Sequence, residues 1–503
     1  MGIKNKEQFG SKLGLILSVL GIAIGTGNIW RFPRIAAQNG GETGAGAFLV
    51  AWIAFLFLWS IPLIIAEYGI GRYGGKGIIG SFIKVAGEKF AWLGAFVGLV
   101  ATAIMCYYSV VAGWCIYYMV DTTVNVLPQN PEQAEITWNT FQSSGLPVLF
   151  HALAIATGGL VVAKGIGSIE RVNKVLIPAL FVILLIALVR SVTLPGSWQG
   201  ISYLFTPDWS TLAKPRIWLE ALTQNAWDTG AGWGLILTYA AYMRKSDNVT
   251  ATALQTGIGN NIISLVAAII IFSTVFGTLG QQMAVSGVLD VMKTSGPAGT
   301  GLTFMWMPQL FAKMPGGFIF AVLFFLGLSF AAFSSLISMI ELSTRVFVDM
   351  GFQRYKAALG VCVVGFTLGI PSAISLGFFA NQDFVWGIGL MISGAFIALT
   401  IITFGTNSFR EEAVNSHLRP HPNTHKIKSG RWWNLMITYL IPLQVAVLLG
   451  WWMYQSAVVF APDSWYNPLS LYSVATVITQ WAIGITALWL ANKHLVKYTN
   501  RYT

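Results

Sequence analysis

Charge is scarce in this sequence. Of its 503 residues only 10% are Asp, Glu, Lys or Arg, whereas a soluble domain carries about a quarter. Hydrophobic residues make up 55% and the mean hydropathy is +0.66. The composition excludes an ordinary soluble protein and predicts an all-α integral membrane protein, since apolar segments of about 20 residues cross a bilayer as helices.

Cysteine and histidine are also rare, with three and five residues. All three cysteines fall in apolar segments: Cys106, Cys115 and Cys362. Their odd number and their setting argue against a disulfide framework and favour buried packing. Three histidines share the spacing of metal ligands on a helix: His417, His421 and His425. Two intervening prolines interrupt that helix, so we interpret the segment as a solvated loop.

Acidic residues are fewer than basic ones, 19 against 30, which gives a net charge of +11. With both termini inside, 23 of the 30 Lys and Arg fall on the cytoplasmic side of the predicted spans. This asymmetry is the positive-inside rule, so the charge indicates topology in a lipid bilayer rather than a nucleic-acid partner. The second outer loop has neither cysteine nor a glycosylation acceptor, so we expect a plasma membrane of the bacterial inner-membrane type.

Hydropathy predicts about twelve transmembrane helices. They cover residues 11–37, 47–72, 90–121, 147–164, 173–194, 217–243, 249–281, 317–352, 356–376, 382–406, 432–457 and 470–494. Three segments are then cytoplasmic: residues 1–10, 407–431 and 495–503. Residues 432–494 hold the last two spans, and residues 280–317 form an outer lid loop.

Two predicted spans contain glycine clusters. The first holds Gly21–Arg31 and the sixth holds Trp227–Gly234. Glycine is a poor helix former, and a broken helix persists in hydrocarbon only where protein, water or a ligand covers its backbone. Spans one and six are five apart, which predicts a 5+5 inverted repeat of residues 11–195 and 196–406. The binding site would lie between helices 1 and 6, both unwound at mid-membrane.

Ionisable residues within spans are costly and therefore informative. Asp228 lies inside a predicted break, which favours contact with a ligand. Glu67 and Glu341 lie outside the breaks, so we predict that they serve freed backbone N–H groups or neighbouring helices. Arg31 and Asp383 are placed toward the outer ends of spans one and ten.

The polar groups near the breaks offer only oxygen. They are the freed carbonyls and the side chains of Asn28, Asp228, Asn260, Ser334 and Ser335. Such a set suits Na⁺ rather than zinc or copper. The sequence has no nucleophile elbow, no P-loop lysine after a strand and no metal-ligand pair at helical spacing, so we predict that the protein is not an enzyme.

The sequence resembles the neurotransmitter:sodium symporter family, which includes the bacterial leucine transporter. The resemblance covers the first ten predicted spans and weakens toward the end. Its motifs follow in order: Gly21–Pro33, Asn39–Gly41, Glu67–Gly75, Tyr107–Tyr108, Lys164–Glu170, Thr238–Tyr242, Ala331–Ser335 and Asp383–Phe384. Each is weak alone, but the ordered set is specific. The resemblance implies a Na⁺-coupled symporter with two sodium sites that works by alternating access.

The resemblance also implies which residues form the sites. The first sodium site would use the substrate carboxylate with Ala23, Asn28, Asp228 and Asn260. The second would use Gly21, Ile24, Ala331, Ser334 and Ser335. The substrate pocket would be lined by Ala23, Thr26, Gly27, Ile104, Tyr108, Trp227, Gly230, Trp233, Ser335 and Met339. Tyr108 would bind the carboxylate, and Arg31 with Asp383 would form the outer gate.

Three positions refine the expected substrate. Gly25 stands where monoamine transporters of the family carry an aspartate, which favours a substrate with its own carboxylate. Gly230 and Trp233 replace residues of different shape in the leucine transporter. We therefore expect a neutral, hydrophobic amino acid.

Asp228 stands where the family usually has a small hydroxyl residue. Ser264 stands where chloride-dependent members carry serine and chloride-independent bacterial members carry glutamate. We predict that Asp228 itself supplies this negative charge and that no chloride is used, because a chloride beside the carboxylate would be repelled in a low dielectric. A corollary hypothesis is that Asp228 takes up a proton when sodium leaves.

Three alternatives stay open at this stage. A Na⁺-coupled symporter of a betaine or amine osmolyte could hold a methylated ammonium between Trp227 and Trp233 by cation–π contact. A membrane amino-acid sensor would bind the same ligand without transporting it. A ligand-gated channel is disfavoured because the polar residues concentrate at one depth rather than along a continuous stripe.

Overall fold

The computed structural model describes residues 7–280, 282–294, 299, 301–416 and 427–501. In this part of the chain the secondary structure is helical, and no strand is formed beyond one β-bridge between Ala45 and Pro207. His417, His421 and His425 of the predicted loop lie outside the described residues.

The first half of the chain contains ten helices within the described ranges. They are α1 (Lys12–Ala23), α2 (Thr26–Gln38), α3 (Gly46–Phe55), α4 (Ile61–Gly74), α5 (Ile78–Ala86), α6 (Ala91–Val124), α7 (Pro131–Ser143), α8 (Leu146–Ala163), α9 (Ile166–Val192) and α10 (Ser197–Phe205). A π-helical turn, Leu56–Ser60, joins α3 to α4 in one continuous span. Proline is tolerated at the start of α7 and α8 because the first helical N–H groups have no partner in the helix.

The second half continues in the same way. Its helices are α11 (Pro215–Asp228), α12 (Leu235–Ala240), α13 (Val249–Leu279), α14 (Val285–Lys293), α15 (Met307–Ala312), α16 (Gly317–Asp349), α17 (Arg354–Ile374), α18 (Leu376–Phe404), α19 (Thr406–Phe409), α20 (Arg431–Leu435), α21 (Ile441–Gln455) and α22 (Val474–Arg501). A π-helical turn, Met436–Leu440, joins α20 to α21.

Ten of the described helical segments are long and apolar enough to cross a membrane, or eleven if α1 and α2 form one span bent by 48°. The predicted sixth span does not reach that length, because it is divided into α11 with 14 residues and α12 with 6. The all-α membrane fold is confirmed. The count of twelve, the mid-membrane unwinding and the inverted repeat stay predictions.

Several segments predicted as loops contain helix. The outer connection 121–147 holds α7, whose start is capped by the side chain of Asn130. The lid loop 280–317 holds α14 and α15, and the loop 407–431 begins with the rest of α19 and a π-helical turn, Arg410–Val414. Helix α22 continues into the predicted tail 495–503 and ends at Arg501. Polar composition marks these segments as exposed but does not prevent a short capped helix.

Two interruptions position the site. Ile24 and Gly25 separate α1 from α2, and residues 229–234 separate α11 from α12. In the second interruption Gly230, Gly232 and Gly234 have φ values of +69°, +91° and +76°, a region in which only glycine is comfortable. These backbone angles explain the glycine cluster that the sequence shows there.

Candidate functional site

One cavity of about 540 Å³ is lined by residues from both interruptions. All ten residues expected in the substrate pocket line it: Ala23, Thr26, Gly27, Ile104, Tyr108, Trp227, Gly230, Trp233, Ser335 and Met339. Its volume lies within the range of small-molecule sites. The structure thus brings these side chains together, while their roles in binding stay a proposal.

One end of the cavity is polar. The Tyr108 hydroxyl accepts a bond from the Thr26 hydroxyl at 3.3 Å and lies 3.4 Å from the Thr26 backbone nitrogen. These groups stand at the start of α2, where backbone N–H groups and the helix dipole favour a negative charge. A Cβ on Gly25 would lie 3.3 Å from Ser335 Oγ and 3.4 Å from Tyr108 Oη, whereas Gly27 faces open space. The glycines leave room here for a carboxylate carried by the ligand.

Another part of the lining is aromatic. Trp227 and Trp233 meet edge to face with ring centroids 6.0 Å apart. The Trp227 ring lies so close to Gly387 that a Cβ there would come within 2.0 Å of it. On this ring lies the guanidinium of Arg31, 4.8 Å from the ring centroid. Trp227 is therefore held between a glycine of α18 and the charge of Arg31.

Both residues of the predicted outer gate are present at the cavity, but they do not form an ion pair. Arg31 and Asp383 both line the cavity, yet among the described residues no ion pair within 4.0 Å links them. Instead, Arg31 covers Trp227. The gate role stays a prediction for a conformation in which the arginine leaves the indole and meets Asp383.

The predicted ligands of the first sodium site lie around the Asn260 side-chain amide. Asn28 Oδ1 accepts a bond from Gly25 N at 2.8 Å, and Asn28 Nδ2 donates to the Asn260 amide oxygen at 2.9 Å. The same Asn260 atom lies 3.1 Å from the carbonyl oxygens of Ala23 and Asp228, and with the amide turned over its nitrogen would donate to both carbonyls. The role of these residues as Na⁺ ligands stays a prediction.

The Asp228 carboxylate lies next to this group of residues. Its Oδ2 accepts bonds from Gln224 Nε2 at 3.3 Å and Ser264 Oγ at 3.4 Å. Its Oδ1 is buried and has no partner among the described residues. Ser264 in turn accepts a bond from Asn28 at 2.7 Å. A buried carboxylate with spare acceptor capacity is suited to balance a bound cation.

Some of the predicted ligands of the second sodium site contact one another. The Ser335 hydroxyl donates to the Gly21 carbonyl at 3.2 Å, and the Ser334 hydroxyl donates to the Ala331 carbonyl at 3.0 Å. Four of the five predicted ligands thus take part in one contact between α1 and α16, Ser335 with Gly21, and one contact within α16, Ser334 with Ala331. For Ile24, the backbone nitrogen bonds to the Leu20 carbonyl at 2.7 Å, and its role as a ligand stays a prediction.

Glu67 supports the second interruption. Its two carboxylate oxygens accept bonds from Gly232 N at 2.6 Å and Leu237 N at 3.0 Å. These N–H groups belong to the interruption and to the first turn of α12, which have no helical partners. The prediction that Glu67 serves freed backbone groups is confirmed.

The side of the site nearest the amino terminus is closed. Phe9 N donates to the Tyr242 carbonyl at 3.2 Å, and the two rings pack edge to face. Arg354 pairs with Glu7 and with the buried Glu341, each at 2.7 Å. The prediction that Glu341 serves neighbouring helices is therefore confirmed, and the segment that precedes α1 is fastened across α12, α16 and α17.

Sequence reasoning missed part of the lining. Several of the additional residues are aromatic, among them Phe379, Phe384, Trp452, Phe460 and Tyr472. No pattern in a uniformly apolar helix indicates which face turns to a cavity and which to lipid. Gln224 was also missed, although its place four residues before Asp228 was a usable signal.

The chain was compared with known proteins. The model described as the Sodium:neurotransmitter symporter family matches residues 6–146 and 146–498. An uncharacterised sodium-dependent transporter of Methanocaldococcus jannaschii is 32% identical over 461 residues, 88% of this chain and 89% of the relative. One of Bacillus subtilis is 30% identical over 471 residues, 89% and 98% of the two chains. The crystal structure of MhsT in complex with L-phenylalanine is similar with a TM-score of 0.75 and 29% identity, over 88% of this chain and 99% of MhsT.

Proposed function

Because this chain belongs to the sodium:neurotransmitter symporter family, we propose that it takes up a neutral, hydrophobic amino acid together with Na⁺ by alternating access. Family membership supports Na⁺-coupled transport of a small molecule by a multi-pass membrane protein. It supports a transporter rather than an enzyme. The amino acid, the two sodium sites, the absence of chloride and the bacterial inner membrane with cytoplasmic termini are parts of the proposal.

The observation that carries the proposal is the pairing of a carboxylate-binding end with two backbone carbonyl oxygens. The start of α2 and the Tyr108 hydroxyl suit a carboxylate, and the carbonyl oxygens of Ala23 and Asp228 both lie 3.1 Å from the Asn260 side-chain amide nearby. A substrate carboxylate placed here would complete the coordination of the first Na⁺. Binding of the ion and the substrate would then depend on each other, which is the physical basis of coupling.

The rest of the cavity favours an apolar side chain. Ile104, Met339 and the two tryptophans offer it apolar surface. MhsT, whose fold is similar, binds L-phenylalanine, which supports an aromatic or large aliphatic amino acid as the first substrate to test. A betaine is disfavoured because the guanidinium of Arg31 already covers Trp227 and would repel a substrate ammonium at that ring.

Alternating access is supported by the asymmetry of the contacts. The gate residues Arg31 and Asp383 stand apart in the cavity wall, while Phe9 and Arg354 fasten the opposite side. We assign this conformation to the outward-facing carrier. Chloride independence is supported by the buried carboxylate of Asp228, which would supply the negative charge that a bound anion supplies elsewhere.

Equilibrium binding tests the proposal. Labelled L-phenylalanine is bound to the purified protein in sodium gluconate, in sodium chloride and in potassium gluconate, with unlabelled amino acids and glycine betaine as competitors. We expect equal binding in the two sodium media, none in potassium, and competition by hydrophobic amino acids alone. Competition by betaine but not by amino acids would contradict the proposed substrate, and binding equal in sodium and potassium would contradict coupling.

A further inference from the structure

The last helix of the chain is largely uncovered, yet most of its buried residues lie at one level. In the most apolar stretch of α22 only 17% of the residues are buried, the smallest share among the ten described apolar spans. The buried residues of α22 are Thr476, Val477, Trp481 and Thr499. Three of the four fall within the first eight residues of the helix, so its buried contacts are concentrated at its beginning.

Polar side chains join this part of α22 to the beginning of α18. Gln480 Nε2 donates to Asn381 Oδ1 at 3.0 Å, and Gln382 Nε2 donates to Gln480 Oε1 at 3.4 Å. Asn381 Nδ2 lies 3.3 Å from Thr476 Oγ1 and donates to it. Hydrogen bonds of this kind hold helices together in lipid, where apolar surface gives no preference for protein over lipid. We name these four side chains, Asn381, Gln382, Thr476 and Gln480, the polar clasp.

Two further bonds extend the contact to the main chain. Trp481 Nε1 donates to the Val385 carbonyl at 3.2 Å, and Asn381 Nδ2 donates at 2.7 Å to the carbonyl of Leu471, just before α22. Asn381 and Val385 stand two residues before and after Asp383, so they lie on the opposite side of α18 from it. Asp383 itself lines the cavity. Helix α18 is thus held from behind at the level of the predicted gate carboxylate.

We propose that the polar clasp positions the outer gate, because it holds the beginning of α18 against α22 and keeps Asp383 in one place while Arg31 moves to meet it. In this conformation Arg31 lies on the Trp227 ring. Fixing Asp383 in advance favours the closed gate, since less conformational freedom is lost when the pair forms. None of the four clasp side chains lines the cavity, so they are positioning residues. The inference rests on the proposed transport function and gives a role to a helix outside the predicted repeat.

Cross-linking tests whether the two helices stay together during transport. Asn381 and Thr476 are short side chains in contact, so cysteines at both positions can be joined by a short bis-methanethiosulfonate, which a reducing agent removes. The parent protein treated in the same way is the control, because its natural cysteines are buried: Cys106, Cys115 and Cys362. We expect Na⁺-driven accumulation of labelled L-phenylalanine in proteoliposomes to persist after cross-linking, because the proposal requires no movement at this contact.

A substitution tests whether the clasp affects the gate. Gln480→Leu keeps the approximate size of the side chain and removes both bonds to α18. Each interhelical bond in a membrane corresponds to about a threefold change in an equilibrium constant. Labelled L-phenylalanine bound in Na⁺ should therefore dissociate about tenfold faster from the purified variant. Gln444→Leu is the matched control, since Gln444 on α21 is buried and its side-chain oxygen has no partner among the described residues, and it should leave the rate unchanged.

A double substitution separates positioning from a general loss of stability. In an Asp383→Asn background the gate has no carboxylate to position, so Gln480→Leu should not accelerate dissociation further. The pair of cysteines at 381 and 476 supplies a rescue. Before cross-linking, dissociation should be faster than in the wild type, because the clasp is weakened, and cross-linking should return it to the wild-type rate.

Specific results would overturn the positioning role. Accumulation that is lost on cross-linking and regained on reduction would show that α18 and α22 must separate during transport. Failure of the two cysteines to be cross-linked would show that the contact is not made. A wild-type dissociation rate in Gln480→Leu, or additive effects with Asp383→Asn, would remove the link to the gate. If the wild type itself binds no L-phenylalanine in Na⁺, the proposed function fails, whereas any of the other results with an active wild type overturns the clasp alone.

Discussion

Replacement of Asp228 by Asn tests the charge balance at the first sodium site. Asp228 is 4% exposed, and its own carbonyl oxygen lies 3.1 Å from the side-chain amide of Asn260, another predicted ligand. For an ion about 5 Å from the carboxylate, with an effective dielectric constant of about 20, the attraction is about 3 kcal/mol. Loss of that attraction corresponds to roughly a hundredfold weaker Na⁺ affinity.

The assay is the Na⁺ dependence of labelled L-phenylalanine uptake into proteoliposomes. Asp228→Asn should move the half-saturating Na⁺ concentration upward by one to two orders of magnitude, about the loss of a single charge contact. Asp463→Asn is the control, because Asp463 is an exposed aspartate distant in sequence and should leave the curve unchanged.

A second substitution, Asp228→Ser, tests the predicted chloride independence. With the carboxylate gone, Gln224 and Ser264 lose the acceptor to which they now donate, and a chloride ion could take its place. We expect this variant to be inactive in gluconate and active in chloride, while the wild type is indifferent to the anion. A wild-type carrier that stops in gluconate, or an Asp228→Asn variant with unchanged Na⁺ dependence, would refute the reasoning.

Three further predictions concern the supports of the site. Glu67→Gln weakens two charge-assisted bonds to Gly232 and Leu237 and should lower stability by about 2 kcal/mol, read as a lower thermal midpoint in detergent. Gly387→Ala places a Cβ against the Trp227 ring and should weaken substrate binding, whereas Gly389→Ala, whose Cβ would meet atoms no closer than 3.5 Å, should bind normally. Arg354→Gln breaks the pairs with Glu7 and Glu341. A cysteine reagent added from the cytoplasmic side should therefore label the cavity faster in this variant. An unchanged labelling rate would show that these pairs do not close the cytoplasmic side.

The interruption of the first span illustrates what sequence predicts well. Three glycines, an asparagine and an arginine in an apolar segment violate the pattern of a continuous span, and a violation of that kind marks a site. The role of Glu67 could likewise be predicted from the sequence, because backbone N–H groups freed within a membrane need a hydrogen-bond acceptor. The family motifs then supplied individual residues, and all ten expected pocket residues line one cavity.

Other features depend on information that a linear pattern does not hold. The span predicted at 382–406 begins at Leu376 as α18, after Ser375 caps the helix start by accepting a bond from Phe378 N. The part of the cavity lining formed by Trp452, Phe460 and Tyr472 depends on how α21 and the segment between α21 and α22 pack against the cavity, which uniform hydrophobicity leaves undefined. The contact between Arg31 and Trp227 depends on the conformation of the gate rather than on the residues alone.

The measurement that tests the central claim most directly is accumulation. Proteoliposomes containing the protein receive labelled L-phenylalanine with an inward Na⁺ gradient, and matched vesicles receive K⁺ in place of Na⁺. The account predicts uptake above the external concentration with Na⁺, which collapses when the gradient is dissipated, and no accumulation with K⁺. Na⁺-dependent binding without accumulation would contradict the account and indicate a sensor.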